Sequence, residues 1–253
     1  MSLLPHPGRT NILQHHIDIE PGNKPRNSVP CRYAAARRKR RKKDGTVRFC
    51  IDYRKLNEIT IRDAYPLPRI DDILNTLQHA QFLSTLDLRF GYWQVEMDKE
   101  SKPLIAFVTD KGLFECTVMS FGLTNAPATL QRLMVIVLGG LKWECCLHLQ
   151  DLQKAFLALA DANITLKSSK CNFCRPKMKY LGHIIAPGGI KSDSDLISTV
   201  TKFTQPTKTK EVQAFLGLTG YYRRFIENYA KIVEPLIKLL RTTQSTTLRS
   251  SLP

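Results

Sequence analysis

The sequence predicts an α+β chain, and three observations carry that class. Short β-prone runs meet at turn signals in Pro103–Met119, around Asp110-Lys111-Gly112, and in Met178–Ile190, around Pro187-Gly188-Gly189. Apolar residues recur at helical spacing across Pro127–Leu141 and His148–Ala162. From Asp193 onward the chain reads as a succession of helices.

At 253 residues the chain is long enough for one large or two small domains with a real core, and its 43% hydrophobic content is that of an ordinary globular protein. The formal charge of +16 is not ordinary and points to an anionic partner, nucleic acid first. No apolar run reaches the roughly 18 residues needed to span a bilayer, so no membrane partner is expected. The N-terminus lacks the basic-then-apolar order of a secretory signal. Seven cysteines without regular spacing fit reduced thiols in the cytosol or nucleus.

In chain order, Met1 to Tyr33 is rich in Pro, Gly, Asn and His and reads as an extended or disordered arm. Ala34 to Lys43 (AAARRKRRKK) is the strongest charge run. It fits a solvated stretch, a phosphate-contacting segment or a nuclear import signal. Residues 1–41 are therefore expected to be a basic, largely disordered arm. Asp44-Gly45 signals a turn, and Thr46 to Asp52 the strand leaving it. Ile70, Ile73, Leu74 and Leu77 place an amphipathic helix over Pro68–Gln78. Phe82 to Leu88 alternates as a strand, and Gly91 ends it before Tyr92-Trp93. Ser120 to Pro127 (SFGLTNAP) leads into a helix that Thr124 or Asn125 can cap and whose first turn suits Pro127. Its stripe is Leu130, Leu133, Met134, Val137, Leu138 and Leu141. The next helix buries Leu149, Leu152, Phe156 and Leu159. Later helices are expected at Asp193–Phe203, Lys208–Leu218 and Glu234–Arg241, with a structureless tail over 242–253.

Asp87 is the chemically interesting residue. An ionised carboxylate in an apolar, β-prone run is costly unless a cation or donor meets it. By itself it also fits a strand-end aspartate closing a turn. Likewise Arg48 fits an exposed strand residue, and Tyr92 and Phe121 fit core aromatics. Cys171 and Cys174 form a CxxC, but no second Cys/His pair stands at zinc spacing.

Seven stretches then occur in one order: KKDGTVRFCIDYRKLN, YPLPRIDDIL, FLSTLDLRFGYWQV, FGLTNAPATLQRLM, LKSSKCNFC, KYLGHII and VQAFLGLTGYYRRFI. In that order the chain resembles the reverse transcriptases of gypsy-class LTR retrotransposons, from about Lys42 to Arg241. The resemblance implies a right-hand polymerase fold, with a fingers/palm remnant over 42–190 and helical thumb and connection over 191–241. It implies that Asp87 is the first metal-binding aspartate for magnesium or manganese, in a family that uses two divalent ions for in-line attack by the primer 3′-hydroxyl. Tyr92 would lie beneath the incoming sugar, and Phe121 and Gly122 would form the wall of the nucleotide pocket. Arg48 would grip the triphosphate, with Lys42 or Lys43 as its partner. Tyr180, Leu181, Gly182 and His183 would hold the primer end. Arg37, Arg38, Lys39, Arg40 and Arg41 would contact the backbone of an RNA or DNA template–primer.

Two departures from that family stand out. Only Ala34 to Arg41 fills the place of a long fingers segment. After the SFGL helix the family carries a hairpin with Tyr-x-Asp-Asp, which supplies the remaining metal carboxylates. Here LKWECCLHLQDLQKAF runs from the approach of that hairpin straight into the helix beyond it, and Asp151 falls on that helix's polar face. Two divalent ions about 4 Å apart repel by roughly 4 kcal/mol even at the dielectric of water. Asp87 alone does not offset that. The expectation is a reverse-transcriptase-derived fragment that is inactive as this chain. The alternatives are a non-catalytic nucleic-acid-binding module, or an active polymerase if a gene model skipped an exon between the codons for Leu147 and His148. The chain also ends where an RNase H domain would be expected to begin, so no nuclease activity is expected of it.

Overall fold

The computed structural model describes residues 7–23, 40–41, 47–48, 51–78, 80–109, 112–141 and 149–249. The chain divides into two compact units: Met1–Ile73 with Phe82–Cys174, and Leu74–Gln81 with Arg175–Pro253. The strands of Met178–Ile190 fall in the second of these units.

The first unit opens with strand β1 (Thr10–His15), which pairs in parallel with a strand some eighty residues later, matching Thr10 with Val95 and His15 with Met97. Over residues 10–15 this differs from the expectation of a largely disordered arm; residues 1–6 and 24–39 lie outside the described residues. The sequence hid the strand because its buried residues are the polar ones. Thr10 and His15 are each 1% exposed, while Ile12 faces out. Strand β2 (Arg40–Arg41) pairs antiparallel with β3 (Val47–Arg48), so the basic run ends in a ribbon. Helices α1 (Arg54–Ile59) and α2 (Ile70–Leu77) follow. Strand β4 (Leu83–Thr85) is shorter than the expected Phe82–Leu88 and pairs with a later strand, β8. A 3-10 turn at Gly91–Gln94 then leads into β5 (Val95–Met97).

Strands β6 (Phe107–Thr109) and β7 (Gly112–Phe114) form the expected hairpin, closed by Thr109 opposite Gly112. Helix α3 (Ala126–Leu138) carries Pro127 in its first turn, where a missing N–H costs nothing. Helix α4 (Leu149–Asp161) comes next, and β8 (Asn172–Arg175) closes this part of the chain.

The core lies where these elements meet. Val95, Met97, Ile105, Met119, Ala126 and Leu133 are almost wholly buried, with Tyr53, Leu56, Leu159, Ala162 and Ile164 around them. Full burial of each large side chain contributes about 1.5–3 kcal/mol. The Met119 amide donates to the Val95 carbonyl at 2.9 Å and ties the approach to SFGL onto β5.

The second unit is a three-stranded antiparallel meander, β9 (Met178–Tyr180), β10 (His183–Ala186) and β11 (Gly189–Ser192), followed by helices. Helices α5 (Ser194–Thr201), α6 (Thr209–Tyr221) and α7 (Tyr229–Arg249) come in order. The Glu211 carboxylate accepts the Thr207 amide at 2.8 Å and the Lys208 amide at 3.3 Å, satisfying donors at the start of α6. Those bonds hold its carboxyl below the usual range. Helix α7 runs through Thr242, correcting the expectation of a structureless tail. Ser and Thr are poor but tolerated helix formers once a helix is propagating.

Candidate nucleotide and metal site

Asp87 lies just past the end of β4, where the chain is laced to the segment before β8. The Lys167 amide donates to the Asp87 carbonyl at 2.8 Å, and the Arg89 amide to the Thr165 carbonyl at 3.0 Å. Gln94, 1% exposed, staples the same two segments. Its Nε2 donates to the carbonyls of Arg89 at 2.7 Å and Thr165 at 3.0 Å, and its Oε1 accepts the Thr165 amide at 2.7 Å. Nothing in the spacing of the sequence marked Gln94, because a buried Gln between aromatic and β-branched neighbours looks like an outward-facing strand residue.

The Asp87 carboxylate itself is met by a lysine. Lys170 Nζ lies 3.6 Å from Asp87 Oδ2, with the Asp87 side chain 40% exposed. Asp151 sits on α4 and pairs with Lys154 at 3.6 Å, one turn along its own helix. Among the described residues no group of three His, Cys, Asp or Glu side chains could share an ion. A pair of divalent ions needs several carboxylates around it. The donor set at Asp87, one carboxylate already facing an ammonium, does not fit that requirement. The place of the missing Tyr-x-Asp-Asp hairpin, between Leu147 and His148, lies outside the described residues.

The aromatic residues singled out in the sequence do come together. Phe90 takes a left-handed conformation (φ 52°) at the entrance to the 3-10 turn and stacks on Trp93, centroids 4.9 Å apart. That turn presents Tyr92 and Trp93 to Phe121, at 5.2 Å and 6.0 Å. Burial raises the Tyr92 phenol, so it stays neutral. Gly122 has φ 98°, which a side chain would strain, and a Cβ there would meet Tyr53 Cδ2 at 3.6 Å. Burial likewise pushes the Tyr53 phenol upward, keeping an uncharged ring beneath that glycine.

The loop holding Phe121 and Gly122 is tied down by side chains whose importance the sequence did not reveal. Asn57, from the stretch YRKLN, donates from Nδ2 to the Gly122 carbonyl at 2.8 Å and accepts the Thr124 amide on Oδ1 at 3.0 Å. Asn125 stands just before α3 but does not cap it. Its Nδ2 donates to the Ile61 carbonyl at 2.8 Å, and its Oδ1 accepts the Asp63 amide at 3.0 Å. An isolated Asn says nothing about which distant backbone it will meet.

Arg48 stands directly across the ribbon from Arg40, and Arg41 across from Val47. Arg37, Arg38, Lys39, Lys42 and Lys43 lie outside the described residues.

The four primer-holding candidates belong to the second unit. Leu181 and Gly182 form the β9–β10 turn, both with positive φ (45° and 76°). The Tyr221 hydroxyl donates to the Leu181 carbonyl, and the Tyr222 hydroxyl to that of Gly182 at 3.5 Å. His183 is 2% exposed and packed among Tyr221, Tyr222 and Phe225, at ring distances of 5.3, 5.7 and 5.5 Å. Its buried side chain therefore joins the meander to α6. Period-two alternation in KYLGHII could not say which face was buried.

Comparisons with known proteins identify the family. A profile of the family described as Reverse transcriptase (RNA-dependent DNA polymerase) matches residues 40–148. The chain is 46% identical over 209 residues to the retrovirus-related Pol polyprotein from transposon 297 of Drosophila melanogaster, covering 77% of this chain and 20% of that protein. It is 34% identical over 209 residues to the Pol polyprotein from transposon gypsy of the same organism, again 77% of this chain and 20% of that protein. The chain thus spans about a fifth of the length of these curated relatives. Among solved structures, a foamy viral protease-reverse transcriptase in complex with double-stranded DNA superposes with a TM-score of 0.72 at 27% identity, over 79% of this chain and 38% of that one. The same viral protein in complex with an RNA/DNA hybrid gives 0.66 at 27% identity, over 79% and 29%. Among the described residues no helix is long and apolar enough to cross a membrane. On these similarities the chain belongs to the reverse transcriptase family, as a domain of the gypsy-type retrotransposon Pol polyproteins.

Proposed function

We propose that this chain is a nucleic-acid-binding reverse transcriptase remnant that holds a template–primer and an incoming nucleotide but does not extend the primer. The observation that carries this reading is the pairing of Asp87 with Lys170 at 3.6 Å. The Lys170 ammonium competes with magnesium or manganese for the Asp87 carboxylate, and among the described residues no group of three His, Cys, Asp or Glu side chains could share an ion. The wall formed by Tyr92, Phe121 and Gly122 supports nucleotide binding. The foamy viral relatives held on duplex DNA and on RNA/DNA hybrid support a template–primer as partner. The arginine ribbon of Arg40 and Arg48 supports phosphate contact.

Purified chain should bind duplex and hybrid with little base preference, since the basic segment contacts phosphates rather than base edges. Six phosphate contacts give a slope of log K on log salt near −5, from about −0.9 per phosphate. Replacing Arg37 to Arg41 by Ala should flatten that slope by several units. No primer extension is expected with magnesium or manganese on RNA or DNA templates. Extension that disappears in Asp87→Asn would overturn the reading. Extension lost only in Asp151→Asn would instead make Asp151 a metal ligand. Salt-insensitive affinity would reduce the basic run to a solvated face.

A further inference from the structure

We propose that Asn57 and Asn125 are positioning residues for the nucleotide wall: a reciprocal clasp of two side-chain amides fixes Phe121 against Tyr92 and thereby sets the chain's preference for a sugar lacking the 2′-hydroxyl. The proposal rests on the reading of Tyr92 and Phe121 as a nucleotide site.

The clasp is built from four hydrogen bonds of one kind. A carboxamide carries a donor and an acceptor side by side, so it can face a backbone carbonyl and a backbone amide together, as a neighbouring strand would. Asn57 does this to the wall, at the Gly122 carbonyl (2.8 Å) and the Thr124 amide (3.0 Å). Asn125, at the end of the wall, does it in return to the segment that carries Asn57, at the Ile61 carbonyl (2.8 Å) and the Asp63 amide (3.0 Å). Asn125 is 9% exposed, so neither of its bonds is readily replaced by water.

The clasp is also closed on itself. Asp63 accepts Arg132 of α3 at 2.9 Å and the Tyr65 amide at 3.0 Å, and the Arg132 guanidinium lies 4.6 Å over the Tyr65 ring. Helix α3 begins directly after Asn125, so wall, helix, Arg132, Asp63 and Asn125 form one loop of contacts. Within it Phe121 has little freedom to move relative to Tyr92 (5.2 Å) or Trp93 (6.0 Å). Steric rejection of one added hydroxyl depends on such a fixed distance, because a wall that yields by a fraction of an ångström admits the larger sugar.

The test uses the full chain carrying Trp143→Phe, which leaves Trp93 as the reporter, since the sequence has two tryptophans. Quenching of Trp93 is titrated with dATP and with ATP, each with magnesium and a fixed primer–template. Amide exchange is followed in parallel at Thr124, protected by Asn57, and at Met119, protected by the Val95 carbonyl. The parent should favour dATP by about tenfold or more, within the ~100-fold a pocket attains against an added hydroxyl. Asn57→Ala should bring that ratio to within about threefold of unity and speed exchange at Thr124 but not at Met119. Asn57→Asp keeps the acceptor for Thr124 and loses the donor to Gly122, so it should leave Thr124 protected and still lower the ratio. If Asn57→Ala also exposes Met119, the chain has loosened globally and Asn57→Asp decides the question. An unchanged ratio in both variants overturns the positioning role, and unchanged Thr124 exchange in Asn57→Ala overturns the clasp. A parent that binds neither nucleotide overturns the nucleotide-site reading instead, and Thr124 exchange still decides whether the clasp holds the wall.

Discussion

Two corners of the first unit, the Asp87 strand end and the Gly122 wall, show opposite states of polar satisfaction. At the wall, two asparagines each find a backbone donor and a backbone acceptor. At Asp87 the carboxylate is 40% exposed and, among the described residues, faces the Lys170 ammonium at 3.6 Å. The difference follows from what each feature does for the fold. The wall's hydrogen bonds join distant segments, so they stabilise the unit whether or not a nucleotide binds. A metal-binding carboxylate does nothing for folding without its metal.

The comparison breaks first through acid. His15 is buried and joined to Thr129 of α3 by Nδ1 at 2.8 Å, while its Nε2 finds no partner among the described residues. Burial, helped by the neighbouring His16 and opposed by Asp63, lowers its pKa from 6.5 to about 4. Between those values the unfolded chain binds the proton and the folded chain does not. Stability is thus full above pH 6.5 and lost as pH falls towards 4, by roughly 3 kcal/mol in all. Denaturant midpoints of the parent and His15→Gln at pH 7.5 and 4.5 should show that loss in the parent alone. If the Asp87 corner governed acid sensitivity instead, the two proteins would decline together.

A smaller effect sharpens it. Asn125→Ala removes the partners of the Ile61 carbonyl and the Asp63 amide, both part-buried, costing about 1 kcal/mol. Urea unfolding measures it, and a loss below about 0.5 kcal/mol would place the wall on the same footing as a surface pair.

The smallest effect is at Asp87. Lys170→Ala and Asp87→Asn should each change stability by less than about 0.5 kcal/mol, as for an exposed ion pair. A loss of several kcal/mol in either variant would show that Asp87 is structural, and the contrast between the two corners would vanish.

Much of the frame could be read from the sequence because it follows local rules. The hairpin closed at Thr109 and Gly112, the Pro127 start of α3 and the run of C-terminal helices all follow turn chemistry and periodicity. What escaped depends on partners far along the chain. Strand β1 was hidden because tertiary contacts, not hydrophobic alternation, bury Thr10 and His15. Asn125 looked like a helix cap because its bonds to Ile61 and Asp63 leave no local trace. The burial of His183 left no local trace either, because the Tyr221–Phe225 cluster that covers it comes some forty residues later. The helical face of α4 was half right: Leu159 is buried, while Phe156 reaches outward to Phe173 at 5.9 Å.

Strand β1 also constrains how the chain is made. Its register with Val95–Met97, the Gly8 amide on Thr165 Oγ1 and the Asn163 side chain on the Arg9 carbonyl join residues up to 157 positions apart. A ribosome delivers β1 early and its last partner late. In the interval the strand's N–H and C=O groups have no partner from that ladder, and the nascent unit carries an open edge. Closing so long a loop is slow, so synthesis rate and chaperone supply will govern the yield of folded chain more than native stability does.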